Sequence, residues 1–291
     1  MRTRALILVT MSLLSPLLWY AYMATMNNMD SQIDRDELRT ALVKSIDWLE
    51  QHKANIFEQD NTAMWWMMMH ASQTTDEPRL RDFFTEYEHK VLNWRPNGYW
   101  TGFTDPEYRR DLPHSTKIQE AHDFELFEYQ LFFLYGLYCD QELGEEEIIR
   151  KQLSSDYCPS ALRAPACVTH QIMGLLLLEW RGCETHTDLS DTLLDSIESN
   201  LFWEFRTGDS YIQRVLMLVA SGRSVDSGWV RAILDAQNAD GGWDDVHPLI
   251  SMGPLQLGLT SRWPTLHAGK SSFHATSQAI WLLVLLLEQS R

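Results

Sequence analysis

The segment Trp229–Trp243, WVRAILDAQNADGGW, constrains the fold more than any other part of the chain. Its first half places apolar residues at Val230, Ile233 and Leu234, the spacing of a helix with one buried face, and closes on Ala236 and Gln237. Its second half, Asn238-Ala239-Asp240-Gly241-Gly242, is a tight turn, because two adjacent glycines supply the positive-φ conformations that reverse a chain quickly. The unit predicts Trp243 laid back against the helix end, with the Gln237 amide hydrogen-bonded to backbone groups left over there.

Around this unit the chain reads as helical almost throughout, with little alternating signal. Amphipathic segments at 34–52, 77–93, 187–202 and 226–237 alternate with more apolar ones at 61–73, 115–138, 164–182, 208–221 and 272–289, and a charged segment lies at about 143–154. Half-exposed helices alternating with enclosed ones, about five times over, predict an all-α chain arranged as an α/α toroid of about five helical hairpins over residues 34–291. A weak repeat of the turn spacing supports this. Trp94 precedes Trp100 by six residues with Asn97-Gly98 between, and Gln51 precedes Phe57 by six, as Gln237 precedes Trp243.

Residues 229–243 resemble the QW motif of the squalene-cyclase and protein-prenyltransferase superfamily, in which such turns tie together the outer helices of a toroid. The resemblance implies an architecture and no particular reaction. The DxDD motif by which class II terpene cyclases protonate their substrate does not occur: Asp188-Leu189-Ser190-Asp191 lacks the final pair, and Asp244-Asp245 stands in another context. Protein prenyltransferases hold zinc with Asp, Cys and His, parts for which only Asp123, Cys167 and His170 are candidates. Pectate lyases carry a similar Gln-Asp-Gly-Gly-Trp turn but need basic residues to neutralise uronate.

A net charge of −16 argues against that substrate and against nucleic acid, because an acidic surface repels polyanions. Residues 5–24, ALILVTMSLLSPLLWYAYMA, carry no charge and follow Arg2 and Arg4. About 20 apolar residues span a bilayer as a helix, and Trp19, Tyr20 and Tyr22 lie where an interfacial aromatic belt would fall. Residues 1–25 are therefore expected to be an N-terminal transmembrane anchor, with a signal peptide as the alternative, and 26–33 a linker. The arginines would stay in the cytoplasm and the body would face the periplasm of a bacterial inner membrane. Four cysteines, Cys139, Cys158, Cys167 and Cys183, suit an oxidising compartment and allow three pairings. Cys158 with Cys167 is the easiest local pair, and Cys139 can meet Cys183 if the two helices they follow run side by side.

Three of the enclosed helices carry a histidine near their beginning: His122, His170 and His274. A fourth carries Tyr211 at the comparable place. If these helices run parallel, the four side chains converge on one mouth of a central cavity, with Asp123, Gln171, Arg214 and Gln278 as neighbours. Histidines so placed can act as general acid and base; the plainer reading is core histidines satisfied by neighbouring groups. Trp65, Trp66 and Met67–Met69 would line an apolar pocket or fill the core. His247, on the long segment 244–270, would sit on the rim. Cys167 and His170 stand three apart, a spacing that reaches one ion, but a disulfide explains Cys167 more simply, so no metal ligands are assigned and no cofactor is named. The resulting expectation is a ligand, isoprenoid-like or a neutral glycan, bound or transformed in a central aromatic and histidine-lined cavity. The alternative is a scaffold module for another envelope protein.

Overall fold

The computed structural model describes residues 15, 18–59, 61–90, 99–105, 126–161, 163–252, 255–260 and 263–290. Its principal helices are α1 (Arg35–Gln51), α2 (Thr62–Thr74), α3 (Pro78–Lys90), α4 (Glu128–Tyr138) and α5 (Glu147–Gln152). They continue as α6 (Cys167–Trp180), α7 (Thr187–Trp203), α8 (Asp209–Ala220) and α9 (Ser227–Asp235). Three strands, β1 (His247–Met252), β2 (Leu255–Leu259) and β3 (Pro264–His267), precede the last helix, α10 (Phe273–Gln289).

Short polar side chains start three of these helices. Asp34 accepts the Glu37 N–H ahead of α1, Asp226 that of Gly228 ahead of α9, and Ser272 that of Ala275 ahead of α10. Glycines end two others: Gly182 (φ 70°) and Gly222 (φ 78°) take the left-handed conformation after α6 and α8. The next amides, Cys183 and Arg223, then bond back to Leu178 and Leu218 at 2.8 and 2.9 Å.

The enclosed helices pack on one another. α10 lies against α1, α2 and α8; α6 lies against α4, α7 and α8; and a 3-10 turn, Tyr99–Phe103, touches both α2 and α4. Trp65, Trp66 and Met67–Met69 of α2 are all buried in this core. The α4–α6 pair carries the disulfide Cys139–Cys183, with Cα atoms 5.7 Å apart, and Cys158–Cys167 closes the loop before α6.

The Trp229–Trp243 unit closes the chain on itself. Gln237 donates to the carbonyls of Ala41 on α1 (2.8 Å) and Gly241 (2.9 Å). The fully buried Trp243 donates its indole N–H to Ile233 (2.7 Å), and its backbone N–H reaches Thr276 of α10 (3.0 Å).

Two expectations are corrected. The chain is not all-α: residues 247–267 fold into a three-stranded antiparallel sheet in the order β1-β2-β3 where the sequence reading had only a long loop, so the all-α toroid does not stand. Leu255, Leu257 and Leu259 alternate with a period of two, and Pro248 and Pro264 are poor helix formers; both belong to strands.

Nor is an N-terminal transmembrane helix supported, because no helix among the described residues is long and apolar enough to cross a membrane. The expectation of a single-pass inner-membrane protein falls with it. Residues 5–14, 16 and 17 of the expected span lie outside the described residues. The part that is described, helical over 18–27, docks on the body. Ala24 and Asn27 are buried, the Tyr20 hydroxyl donates to the Trp203 carbonyl at 2.7 Å, and Asn27 donates to Leu201 at 3.0 Å. The expected linker is held too, with the Ser31 N–H bonded to Ser227.

Candidate functional site

α6, α8 and α10 bring their N-terminal ends together, and the side chains in their first turns form a polar cluster. His274, at the second position of α10, points Nδ1 toward Asp209 Oδ2 at 3.4 Å and Asp245 Oδ1 at 3.7 Å. Asp209 is the first residue of α8, where the partial positive charge of the helix end suits a carboxylate. Asp245 follows the locked Trp243 by two residues, so the turn that closes the chain also delivers it. Gly208 lets the two approach: a Cβ there would stand 2.5 Å from the Asp245 carbonyl oxygen.

Further groups hold this centre in place. The Ser272 hydroxyl donates to Asp245 Oδ1 (2.5 Å) while capping α10. Gln278, one turn beyond His274 and fully buried, places its Nε2 3.3 Å from His274 Nε2, and its Oε1 has no partner. Turning that amide over resolves both features, because Oε1 then accepts the imidazole Nε2–H. On the neighbouring α6, His170 stacks on Tyr129 with ring centroids 4.2 Å apart and meets Phe133 edge-on at 6.0 Å.

The two histidines are driven apart in protonation. Burial pulls His170 down to about 4, and the charge of His274 adds to the effect against a smaller pull from Asp209. Burial would lower His274 as well, but Asp209 and Asp245 outweigh it and hold the imidazole up at about 9. Asp245 lies below the ordinary carboxylate range, since His274 and Ser272 overcome its burial. Around neutral pH this leaves a neutral imidazole near an imidazolium held between two carboxylates, one ring free to accept a hydrogen bond and the other carrying positive charge. Asp209, Asp245 and His274 also present one ligand atom each within 4.8 Å of one another, a donor set that suits a divalent cation.

Of the residues expected at one mouth, the structure brings His170, His274 and Gln278 to this end of the helices. His122 and Asp123 lie outside the described residues. Tyr211 faces elsewhere: its buried hydroxyl donates to Asn27 Oδ1 at 2.6 Å and pins the N-terminal segment. Arg214 belongs to a buried ion cluster with Glu204 (3.4 Å) and donates to the Pro165 carbonyl. Gln171 donates to the carbonyls of Gln152 and Ser154. Trp65 stacks on Tyr87 in the core, and Trp66 packs against His70 and Trp281. His247 meets Thr207 through Nδ1 and lines a groove beside residues 23–31. Cys167 is half of a disulfide and offers no thiolate to an ion.

Asp209 carries no signal of its own in the sequence, and Asp245 stands out there only as half of an Asp244-Asp245 pair in the wrong context for a DxDD motif. The available signal was position: Asp209 opens the same helix as Tyr211, and Asp245 follows the QW-like turn directly. Comparison with protein-family models, curated proteins and solved structures found no match. The site therefore carries the functional reading by itself.

Proposed function

We propose that this protein binds a small uncharged polar molecule, a neutral glycan rather than an isoprenoid, at the shared N-terminal end of α6, α8 and α10. His170 serves there as a neutral hydrogen-bond acceptor, and His274 as the imidazolium that holds Asp209 and Asp245 in place. The observation that carries this reading is the convergence of His170, His274, Asp209 and Asp245 from three helix ends and the turn after Trp243. Two carboxylates and a neutral imidazole accept hydrogen bonds from hydroxyl groups, which an isoprenoid chain lacks. The rings of Tyr129 and Phe133 beside His170 offer apolar faces of the kind a sugar ring covers.

Saturation-transfer NMR with neutral oligosaccharides and with a soluble isoprenoid alcohol tests the assignment. The glycan is expected to respond, and Asp245→Asn and His170→Ala each to weaken it at least about tenfold, the scale of one lost charged hydrogen bond. A response to the isoprenoid alone, or an equal glycan response in both variants, overturns it.

A further inference from the structure

Phe127 apart, the large apolar side chains exposed among the described residues fall in three segments. Among the described residues, Leu18, Trp19, Tyr22, Met26 and Met29 of the N-terminal segment are exposed, as are Phe202 and Trp203 at the end of α7. On the sheet, Ile250 of β1 (56% exposed), Leu266 of β3 (55%) and Trp263 just before it (74%) stand open. These three segments adjoin. Tyr20 stacks on Trp203, Trp19 meets Phe205 edge-on at 5.2 Å, and Phe205 meets His247 of β1 at 5.9 Å. A groove of about 440 Å³ with Met23, Met26 and Met29 on one side and His247 and Pro248 on another runs between the segment and the sheet.

We infer that this face is the contact surface between two copies of the chain. Area supports a second copy. Ten or more large side chains, each about half exposed, amount to roughly 1,000 Å² of apolar surface, which reaches the approximately 800 Å² per partner of a stable interface and exceeds the few hundred Å² patches common on monomers.

Charge supports it as well. In a chain of net charge −16, residues 18–29 contain no charged residue and 247–267 contain only Arg262; the groove between them adds Asp30, Asp235 and Arg231, so the face is far less acidic than the chain as a whole. The sheet adds a directional element. Its order β1-β2-β3 leaves an outer edge on β1 and on β3, and antiparallel pairing of one edge with its own copy is the self-complementary contact of a two-fold dimer.

Sedimentation velocity on the full chain and on the double variant Ile250→Glu/Leu266→Glu tests the inference. Both substituted side chains point to solvent, and circular dichroism establishes that the variant keeps its helices. The wild-type chain is expected to sediment at twice its 33.9 kDa mass at low micromolar concentration. The variant is expected at the single mass, with a dissociation constant raised at least about a hundredfold. If the variant loses its helices, Trp263→Ser on the same face is expected to give the same shift. A wild-type chain that stays monomeric to about 100 μM, or a dimer or larger aggregate unchanged by the substitutions, overturns the inference.

Discussion

His70 sits in a box of indoles, with the ring centroids of Trp66, Trp180 and Trp281 4.9, 5.3 and 5.4 Å away, and burial pulls its imidazole down to about 4. In the unfolded chain it titrates near 6.5. Between these values the unfolded state binds the proton that the folded state refuses, so the stability His70 contributes is present above about 6.5 and lost as pH falls toward 4. Urea unfolding across that window is expected to show His70→Phe losing less stability than the parent, by on the order of 2 kcal/mol. Parallel curves would mean that His70 is not held neutral. At this scale the histidines of the site were legible, because His170 and His274 occupy matching helix starts. Asp209 and Asp245 were not, since nothing local shows that residues 36 and 65 positions apart from each other and from Asp209's partner His274 face one point.

Gly222 and Gly241 separate two reasons for a glycine at the scale of the element. Both have positive φ, 78° and 96°. A Cβ at Gly222 meets nothing within 4 Å, whereas one at Gly241 would stand 2.2 Å from the Lys44 carbonyl oxygen of α1. Gly222→Ala is therefore expected to cost about 1–2 kcal/mol for the left-handed conformation alone. Gly241→Ala adds a backbone clash and is expected to cost at least about 3 kcal/mol. Equal costs in thermal or urea unfolding would show that the turn does not press against α1. The turn itself could be read from its residues, since glycine conformation and an aromatic return are local matters. The sheet escaped that reading. Its strands are short, and its hairpins depend on pairing between segments whose individual patterns are weak.

For the molecule as a whole, the N-terminal segment is the most informative part. Asn27 joins it to the body through two hydrogen bonds, accepting from the buried Tyr211 hydroxyl and donating to the Leu201 carbonyl. Asn27→Ala strands both groups and is expected to destabilise the fold by roughly 2–4 kcal/mol, the cost of two buried unsatisfied polar groups. A loss below about 0.5 kcal/mol in urea unfolding would mean that residues 18–29 do not rest on α7 and α8. Hydropathy alone assigns this segment to a bilayer, yet its described part rests on the body, where Trp19 meets Phe205 edge-on and Tyr20 stacks on Trp203. Helix positions, caps, the Trp243 turn and the candidate pairs of cysteines follow from the sequence by itself, because each depends on neighbours within a few turns or on thiol chemistry. Which helix ends meet, which carboxylates flank His274, and that residues 18–27 dock on the body were decided only by the tertiary structure, because those contacts join residues far apart in the chain and burial is a property of the assembled whole.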